Sequence, residues 1–394
     1  MTAPARPAPE RFMRLALREA ARGVGRTAPN PSVGALVVRG GRVVARGHTA
    51  PRGAPHAEVV ALQVAGALAR GADLYTTLEP CDHQGRTPPC TQAILAAGVR
   101  RVFVGSHDPN PLVDGRGVAR LRRAGVEVVR DVLRAECDAL NGPWFTFITT
   151  GRPHVTLKAA VTLDGRLATR TGDARWVSGP AARAWAHGLR DRVDAVLVGA
   201  GTARADDPAL TTRLPGGRDP VRVVLDTTLA LSPRLRLFTG RSPAPTLWVH
   251  AAPALPPRLL RLAPAVELLR CRRGPGGVSL PDLLARLAAR GITHLLVEGG
   301  AEIHARFLAA GLVDELAVVV APKLAGADGV PLAAMPGPAL MADALTLSGV
   351  RVTRLGDDVL VQGALVGGGA RRGRRGARPG PGQKAALAKT PGRG

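Results

Sequence analysis

Apolar positions recur at helical spacing in RFMRLALREAARGV (11–24) and in HAEVVALQVAGALARG (56–71), the second predicted to stop at Gly71. Between them, VGALVVRGGRVVARG (33–47) sets two Val-rich runs on either side of Arg39-Gly40-Gly41, the pattern of a β-hairpin. ADLYTTLEPC (72–81) reads as a strand and TQAILAAGV (91–99) as a helix. RRVFVGSHDPNP (100–111) reads as strand then turn, and GVARLRRAGVEVV (117–129) as helix then strand. Strands and helices in alternation predict an α/β unit over 1–150.

A Gly/Pro break then opens TGRPHVTLKAAVTLDG (150–165), where a new strand is expected. A helix near 180–190 follows, then strands DAVLVGAG (194–201), VRVVLD (221–226) and TLWVH (246–250). Next come helix DLLARLAAR (282–290), strand THLLVEGG (293–300), helix AEIHARFLAAG (301–311) and strand ELAVVVAPKL (315–324). SGVRVTRLG and DVLVQGALV close a second α/β unit, 151–366. LDGR reads as a hairpin turn and DDPAL as a turn without helix. No internal repeat is present.

Composition changes this picture at one end. The chain has 394 residues, 45% of them hydrophobic, and a formal charge of +24. From Gly367 on, GGGARRGRRGARPGPGQKAALAKTPGRG has no acidic residue and no apolar period, so a disordered basic tail is expected over 367–394. The rest of the charge is mostly arginine beside abundant Ala, Gly and Pro, which reads as codon composition as much as selection for nucleic acid. No apolar run reaches the roughly 18–20 residues a bilayer requires, and MTAPARPAPERF lacks an export signal. A cytoplasmic location is expected, where cysteines stay reduced.

Candidate chemistry gathers at EPCDHQGRTPPC (79–90), which holds two of the four cysteines. The PHAE stretch supplies His56 and Glu58 near the start of a predicted helix. A catalytic zinc takes three protein ligands and leaves one corner to water. His56, Cys81 and Cys90 supply three, and Glu58, two residues on, is placed to move protons rather than bind metal. Hydrolytic zinc deaminases carry this logic in an H-x-E…P-C-x-x-C signature. Here the second cysteine stands nine residues after the first, so the first half of that signature fits and the second is stretched. The competing reading is two buried thiols and a chance HAE. Cys137 and Cys271 read as small buried hydrophobes.

PNPSVG (29–34), PHAE, TLEPCDHQGRTPPC and DPNP (108–111) together resemble the deaminase half of the bifunctional riboflavin-biosynthesis deaminase/reductase family, where the wide cysteine spacing is usual. The resemblance implies a cytidine-deaminase-like αβα fold, zinc on His56, Cys81 and Cys90, and Glu58 as proton carrier. It places Asn30 near the pyrimidine ring, and His83, Arg86, Asp108 and Asn110 around the phosphoribosyl end. His83 equally suits a turn cap. The family often has histidine two places after a glycine; here His48 follows Gly47 directly, with Thr49 next.

LKAAVTLDGRLATRTGDARWVSGPAAR (157–183), VGAGTARADDPALTTR (198–213) and LLVEGGAEIHARFL (295–308) resemble the reductase half of the same family, with a dihydrofolate-reductase-like α/β fold. Taken alone, VEGG before a helix suits a phosphate at a helix start or an ordinary turn, and it is not the G-x-G-x-x-G fingerprint. The resemblance implies an NADPH site lined by Ala160, Trp176, Thr202, Asp206, Gly300, Ala301, Glu302, Ile303, His304, Ala305 and Arg306. It gives substrate to Arg190, Leu210, Arg213 and Glu298. One departure is Ala174, where the family usually has serine; Ser178 on a shifted loop is the candidate replacement.

The expected enzyme removes a 2-amino group from a diaminopyrimidinone ribosyl phosphate by hydrolysis, then reduces the ribosyl chain with NADPH. Its partners are small phosphoribosylaminopyrimidines, with no membrane and no specific nucleic acid. Pairing of copies is left open. Two alternatives stand beside it: a zinc deaminase of another nucleoside or a tRNA base, and a family-derived protein with an inactive reductase half.

Overall fold

The computed structural model describes residues 8–85, 87–240, 242–259 and 264–366, so the expected basic tail and Arg86 lie outside the described residues. The first part runs α1 (Pro9–Ala21), β1 (Gly34–Arg39), β2 (Arg42–His48), α2 (Ala57–Ala65), β3 (Asp73–Leu78), α3 (Cys90–Ala96), β4 (Arg101–Ser106), α4 (Arg116–Arg123), β5 (Glu127–Val129) and α5 (Arg134–Thr150). Its five strands lie in the order β2-β1-β3-β4-β5. β1 is antiparallel to both neighbours, whereas β3, β4 and β5 are parallel. Gly40 and Gly41, at φ 58° and 74°, make the two-residue turn of the β1–β2 hairpin.

Successive residues of these strands face opposite layers. Ala35, Val37, Leu74, Val102 and Val104 pack with Ala61, Ile94 and Leu121 of α2, α3 and α4. Leu36, Val38, Tyr75 and Phe103 pack with Phe12, Met13 and Ala16 of α1 and Cys137 of α5. The result is the expected αβα sandwich. The predicted helix 56–71 is shorter than its apolar pattern: it breaks at Gly66, whose φ of 51° a helix cannot carry, and continues as one 3₁₀ turn. α5 had no expectation attached to it, because Gly142 and Pro143 punctuate its sequence; burial of Cys137, Asn141 and Phe147 holds it together.

The second part contains β6 (His154–Thr162), β7 (Arg166–Ala168), α6 (Pro180–Arg192), β8 (Ala195–Gly199), α7 (Ala200–Asp206), β9 (Val221–Leu225), α8 (Arg236–Thr239) and β10 (Thr246–His250). It continues with β11 (Val266–Arg270), β12 (Arg273–Gly274), β13 (Gly277–Val278), α9 (Leu280–Ala289), β14 (His294–Val297) and α10 (Ala301–Ala309). β15 (Glu315–Ala321), β16 (Val330–Pro331), β17 (Thr346–Leu355) and β18 (Asp358–Val366) complete it. Nine strands form one sheet in the order β11-β10-β9-β8-β14-β6-β15-β18-β17, parallel from β11 to β15 and antiparallel at the β15–β18–β17 edge. Two expectations are corrected. The strand drawn through 194–201 ends at Gly199 and turns at once into α7. LDGR is a turn, with Gly165 N–H donating to the Thr162 carbonyl, but the strand after it pairs with β16 rather than with β6.

Both faces of this sheet are covered. Leu157, Leu197 and Leu295 pack with Leu283, Leu287 and Phe307 of α9 and α10. Val196, Val198 and Leu296 face Ala203, Leu237 and Phe238 of α7 and α8. The two sheets meet at a polar seam, where Arg26 Nη2 reaches Asp191 Oδ1 at 3.1 Å and Thr146 Oγ1 lies 3.0 Å from His154 Nδ1. Among the described residues no helix is long and apolar enough to cross a membrane.

Close backbone packing at one glycine bears on the metal site. A Cβ on Gly117, in the first turn of α4, would stand 1.8 Å from the carbonyl oxygen of Pro80, the residue before Cys81. Backbone cannot swing aside as a side chain does, so Gly117→Ala must displace Pro80. Denaturant melts of this variant should show a loss of about 1–3 kcal/mol, with faster release of metal to a chelator than in wild type.

Candidate active sites

The parallel strand β3 ends at Leu78 and hands the chain to the cysteine loop, while the first turns of α2 and α3 start beside it. His56 is the N-cap residue of α2, and Cys90 is the first residue of α3. His56 Nδ1 stands 3.1 Å from Cys90 Sγ and 3.6 Å from Cys81 Sγ, and the two sulfurs are 3.5 Å apart. A tetrahedral zinc, with bonds of about 2.3 Å to sulfur and about 2.0 Å to nitrogen, separates its ligand atoms by about 3.5–3.8 Å. The triad matches those edges to within a few tenths of an ångström. Among the described residues it is the one cluster of three His, Cys, Asp or Glu side chains close enough to share an ion.

Electrostatics at this cluster favours a cation. The contact with Cys90 holds the Cys81 thiol down to about 4, and the contact with Cys81 raises the pKa of His56. Cys90 itself is raised, by the same contact with Cys81 and by burial. Glu58 is 4% exposed, and burial pushes its carboxyl up to about 7 against the pull of His56. The carboxyl is therefore near balance between its two protonation states at neutral pH.

The surrounding loops are fixed by carboxylates. Asp82 accepts from Thr91 Oγ1 at 2.6 Å and from Arg120 Nη1 at 2.7 Å, tying the loop after Cys81 to α3 and α4. Glu79, buried, accepts from His107 Nδ1 and from the backbone N–H groups of Gly115 and Val118. Asp108 is buried and takes up the Asn110 N–H and Trp144 Nε1; Asn110 Oδ1 takes up the Leu112 N–H. Those two side chains shape the 108–112 turn. Asn30 lines a cavity of about 50 Å³ at the seam between the sheets. His83 Nδ1 is buried without a hydrogen-bond partner, and His48 closes β2 while Thr49 Oγ1 accepts from the Val33 N–H.

In the second sheet, register assembles the site. Leu157 and Val297 are the last pair between β6 and β14; Lys158 runs on in β6 opposite Ala317, close enough to Glu298 for their charges to interact. Glu298 takes a bidentate pair from Arg190 of α6, with Nε and Nη2 both at 2.8 Å, and Arg190 Nη1 donates to the Thr211 carbonyl. Burial alone would raise the Glu298 carboxyl, but the Arg190 guanidinium holds it down to about 2. Burial lowers the Lys158 ammonium while the Glu298 charge opposes that shift. Leu210 and Arg213 both sit at positive φ, 54° and 55°, a strained backbone for residues other than glycine. Leu210 is 2% exposed, so backbone is what it offers a ligand; Arg213 is exposed.

Beside this cluster α7 and α10 start next to each other at the ends of the adjacent strands β8 and β14. A Cβ on Gly199 or on Gly299 would meet Ile303 at under 3.0 Å, and one on Gly300 would come 3.2 Å from Thr202 Oγ1. The glycines keep backbone N–H groups of both helix starts close together, a cradle that suits a dinucleotide phosphate. Of the 300–306 segment, Ala301, Ile303, His304 and Ala305 are buried, Glu302 is exposed, and Arg306 Nη2 donates to the Val278 carbonyl. Side chains of this segment thus serve the core, and its first N–H groups remain for a cofactor. Thr202 and Asp206 lie on α7 and Ala160 on β6. Trp176 is 62% exposed, with the Arg183 guanidinium 4.6 Å from its ring, and Ser178 is pinned through its carbonyl by Arg183 Nη1.

Comparison with known proteins separates the alternatives left open by sequence. The model of the cytidine and deoxycytidylate deaminase zinc-binding region matches residues 7–106, and that of the RibD C-terminal domain matches residues 153–361. The chain is 44% identical over 356 residues to the riboflavin biosynthesis protein RibD of Bacillus amyloliquefaciens, covering 89% of this chain and 94% of that one. It belongs to the RibD family. The Escherichia coli K12 member is 38% identical, covering 91% of this chain and 99% of its own. A solved deaminase/reductase from Thermotoga maritima superposes with a TM-score of 0.79 at 37% identity, over 90% of this chain and 97% of the other. Acinetobacter baumannii RibD gives 0.79 at 34% identity, covering 91% and 98%.

The RibD assignment makes this chain a bifunctional deaminase and reductase using zinc and NADPH. Sequence reasoning passed over Lys158, although a lysine in the middle of a strand buried on both faces is itself a signal. It also passed over Glu79 and Asp82, whose partners come from α3, α4 and the 107–118 loop. Elemental analysis of wild-type protein should find about one zinc per chain. Cys90→Ala should lose that metal while still binding NADPH, since the two sites stand on different sheets.

Proposed function

We propose that the first sheet carries hydrolytic deamination of 2,5-diamino-6-(5-phosphoribosylamino)pyrimidin-4(3H)-one, and that the second carries reduction of the deaminated product's ribosyl chain to ribityl. The observation that supports this most directly is the His56–Cys81–Cys90 triad with the buried Glu58 beside it. It stands in a chain that matches a RibD protein over 89% of its length and a solved deaminase/reductase over 90%.

In the first half, His56, Cys81 and Cys90 hold zinc, which supplies the Lewis acidity that makes water nucleophilic near neutral pH. Glu58 Oε takes the proton that water gives up on attack and passes it to the departing amino nitrogen, so ammonia leaves uncharged. A carboxyl balanced near pH 7 suits both transfers. Asn30 presents an amide donor and acceptor to the pyrimidine edge. Asp82, Glu79 and Asp108 keep the loops around the ribosyl phosphate in place.

In the second half, the backbone cradle at Gly199, Gly299 and Gly300 receives NADPH, which supplies hydride. The ring-opened substrate is an imine. Carbon receives the hydride, nitrogen receives a proton, and the C=N bond becomes C–N. Lys158, whose burial makes its ammonium a readier proton donor than a solvated one, is suited to deliver that proton. Arg190 and Glu298 lock each other, so their contribution is a fixed wall, and Arg213 carries a charge for phosphate. We place the enzyme in the cytoplasm, acting on small molecules without a nucleic-acid partner.

Two outcomes test this reading. Glu58→Gln should keep its zinc and its NADPH oxidation on the deaminated intermediate, while ammonia release falls by about a hundredfold or more. Ammonia release at the wild-type rate would overturn the proton assignment. Removal of residues 367–394 should leave both rates unchanged, whereas an enzyme that needed the basic tail to hold RNA would lose its deaminase activity.

A further inference from the structure

The deaminase site is bordered by a turn that the second half of the chain helps to hold. β1 runs antiparallel to β3, with Ala35 opposite Thr76 and the Gly34 N–H donating to Thr77 Oγ1 at 3.1 Å. The chain entering β1 therefore emerges at the end of the sheet where β3 passes into the cysteine loop. That entering segment, 23–33, carries Asn30. It is closed on itself by the Asn30 N–H donating to the Thr27 carbonyl and Thr27 Oγ1 donating to the Asn30 carbonyl. Its last residues are tied to their own half: Ser32 Oγ donates to the Ala20 carbonyl at 2.6 Å, and Thr49 Oγ1 accepts from the Val33 N–H at 3.0 Å.

Its first residues are held from the other half. Arg26 Nη2 reaches both carboxylate oxygens of Asp191, at 3.1 and 3.2 Å, and Asp191 Oδ1 also accepts the Arg218 N–H at 2.7 Å. Asp191 is thus fixed from its own side where it meets Arg26. Gly25 packs against the same end of α6 so closely that a Cβ there would stand 2.5 Å from the Asp191 carbonyl oxygen. Its φ of 76° is a second demand for glycine. Pro29, next to Asn30, lies against the turn between α9 and β14, where a Cβ on Gly291 would meet Pro29 Cδ at 3.5 Å. The segment is a wedge between the sheets, touched by α6 at Gly25 and Arg26 and by the Gly291 turn at Pro29.

We infer that Asp191, a residue of the reductase half, is a positioning residue of the deaminase, holding the Asn30 turn in place through Arg26. The inference deepens the deaminase reading above and rests on it. An ion pair this open adds little to stability, since Arg26 keeps 38% of its side-chain surface exposed and Asp191 18%. What the pair supplies is register. With Gly25 pressed on the α6 backbone, it leaves the 25–30 stretch little freedom to slide along the helix end. The metal triad is drawn from α2, α3 and the cysteine loop, whereas this contact joins the turn to α6. Loosening the contact therefore leaves zinc in place and weakens the grip on substrate.

The test is steady-state ammonia release by the full chain, read beside zinc content and NADPH oxidation on the deaminated intermediate. Arg26→Ala should raise KM for the diaminopyrimidinone substrate about two- to fivefold, with deamination kcat, zinc and NADPH oxidation unchanged. Arg26→Lys, which keeps the charge, should return KM toward wild type. Asp191→Asn should raise KM as Arg26→Ala does, and the two together should do no more than either, since both break one contact. Gly25→Ala should raise KM about tenfold or more, because its Cβ drives the turn off α6. Should that variant not fold, the Arg26 and Asp191 variants decide alone. An unchanged KM in Arg26→Ala, a fall in kcat at constant KM, or loss of NADPH oxidation in step with deamination overturns the inference; the last would mark the pair as a clasp that only docks the halves. A wild-type enzyme that releases no ammonia from this substrate overturns the deaminase reading itself.

Discussion

Two sulfurs and an imidazole nitrogen crowd within 4.8 Å of one another at the end of β3, and nearly everything in the first half serves that crowding. Two thiolates at such a distance repel strongly in a partly desolvated pocket. The arrangement becomes stable when one thiol keeps its proton or when a divalent cation stands between them. The chain meets this demand by drawing its ligands from three directions: the start of α2, the loop after β3, and the start of α3. Gly117 lets α4 press its backbone against Pro80, and Asp82 clamps the loop to α3 and α4. A metal site of this kind is a folding constraint as well as a catalyst, because few of its parts can move independently.

The second half solves a different electrostatic problem. Glu298 is buried, and a lone buried carboxylate would be protonated or would destabilise the fold. Arg190 answers it with a bidentate pair. Removing either partner from such a pair costs about 3–5 kcal/mol, although the pair as a whole adds little net stability. Its value is position. It fixes α6 against the end of β14, with Lys158 close enough for the Glu298 charge to act on it. Strain at Leu210 and Arg213 belongs to the same construction, since a relaxed segment would carry Arg213 elsewhere.

Much of this was legible in the residues. Alternation of apolar runs located most of the sheet strands, and His56, Glu58, Cys81 and Cys90 were recognisable as a hydrolytic metal set despite the widened cysteine spacing. Helix α5 was not legible, because Gly142 and Pro143 read as a break and only burial against the sheet overrides them. α7 was absorbed into a strand, since a turn at Gly199 depends on Ile303 from a distant helix filling the space a Cβ would need. The expectation for 300–306 named side chains, yet the fold turns most of those side chains into the core.

By itself, then, the order of residues determined which chemistries are present: a nitrogen-and-sulfur metal set with a carboxylate nearby, a glycine-opened helix, and a supply of arginines. These follow from side-chain type and local spacing, which are properties of short stretches. Tertiary structure alone decided that Lys158 stands beside Glu298, that Arg190 is taken up by that carboxylate while Arg213 is exposed, and that the charges of both arginines reach His187. Those relations join residues from distant elements, including two neighbouring strands, β6 and β14, that lie far apart in the chain. Strand register and helix packing set them, and neither can be read from one segment at a time.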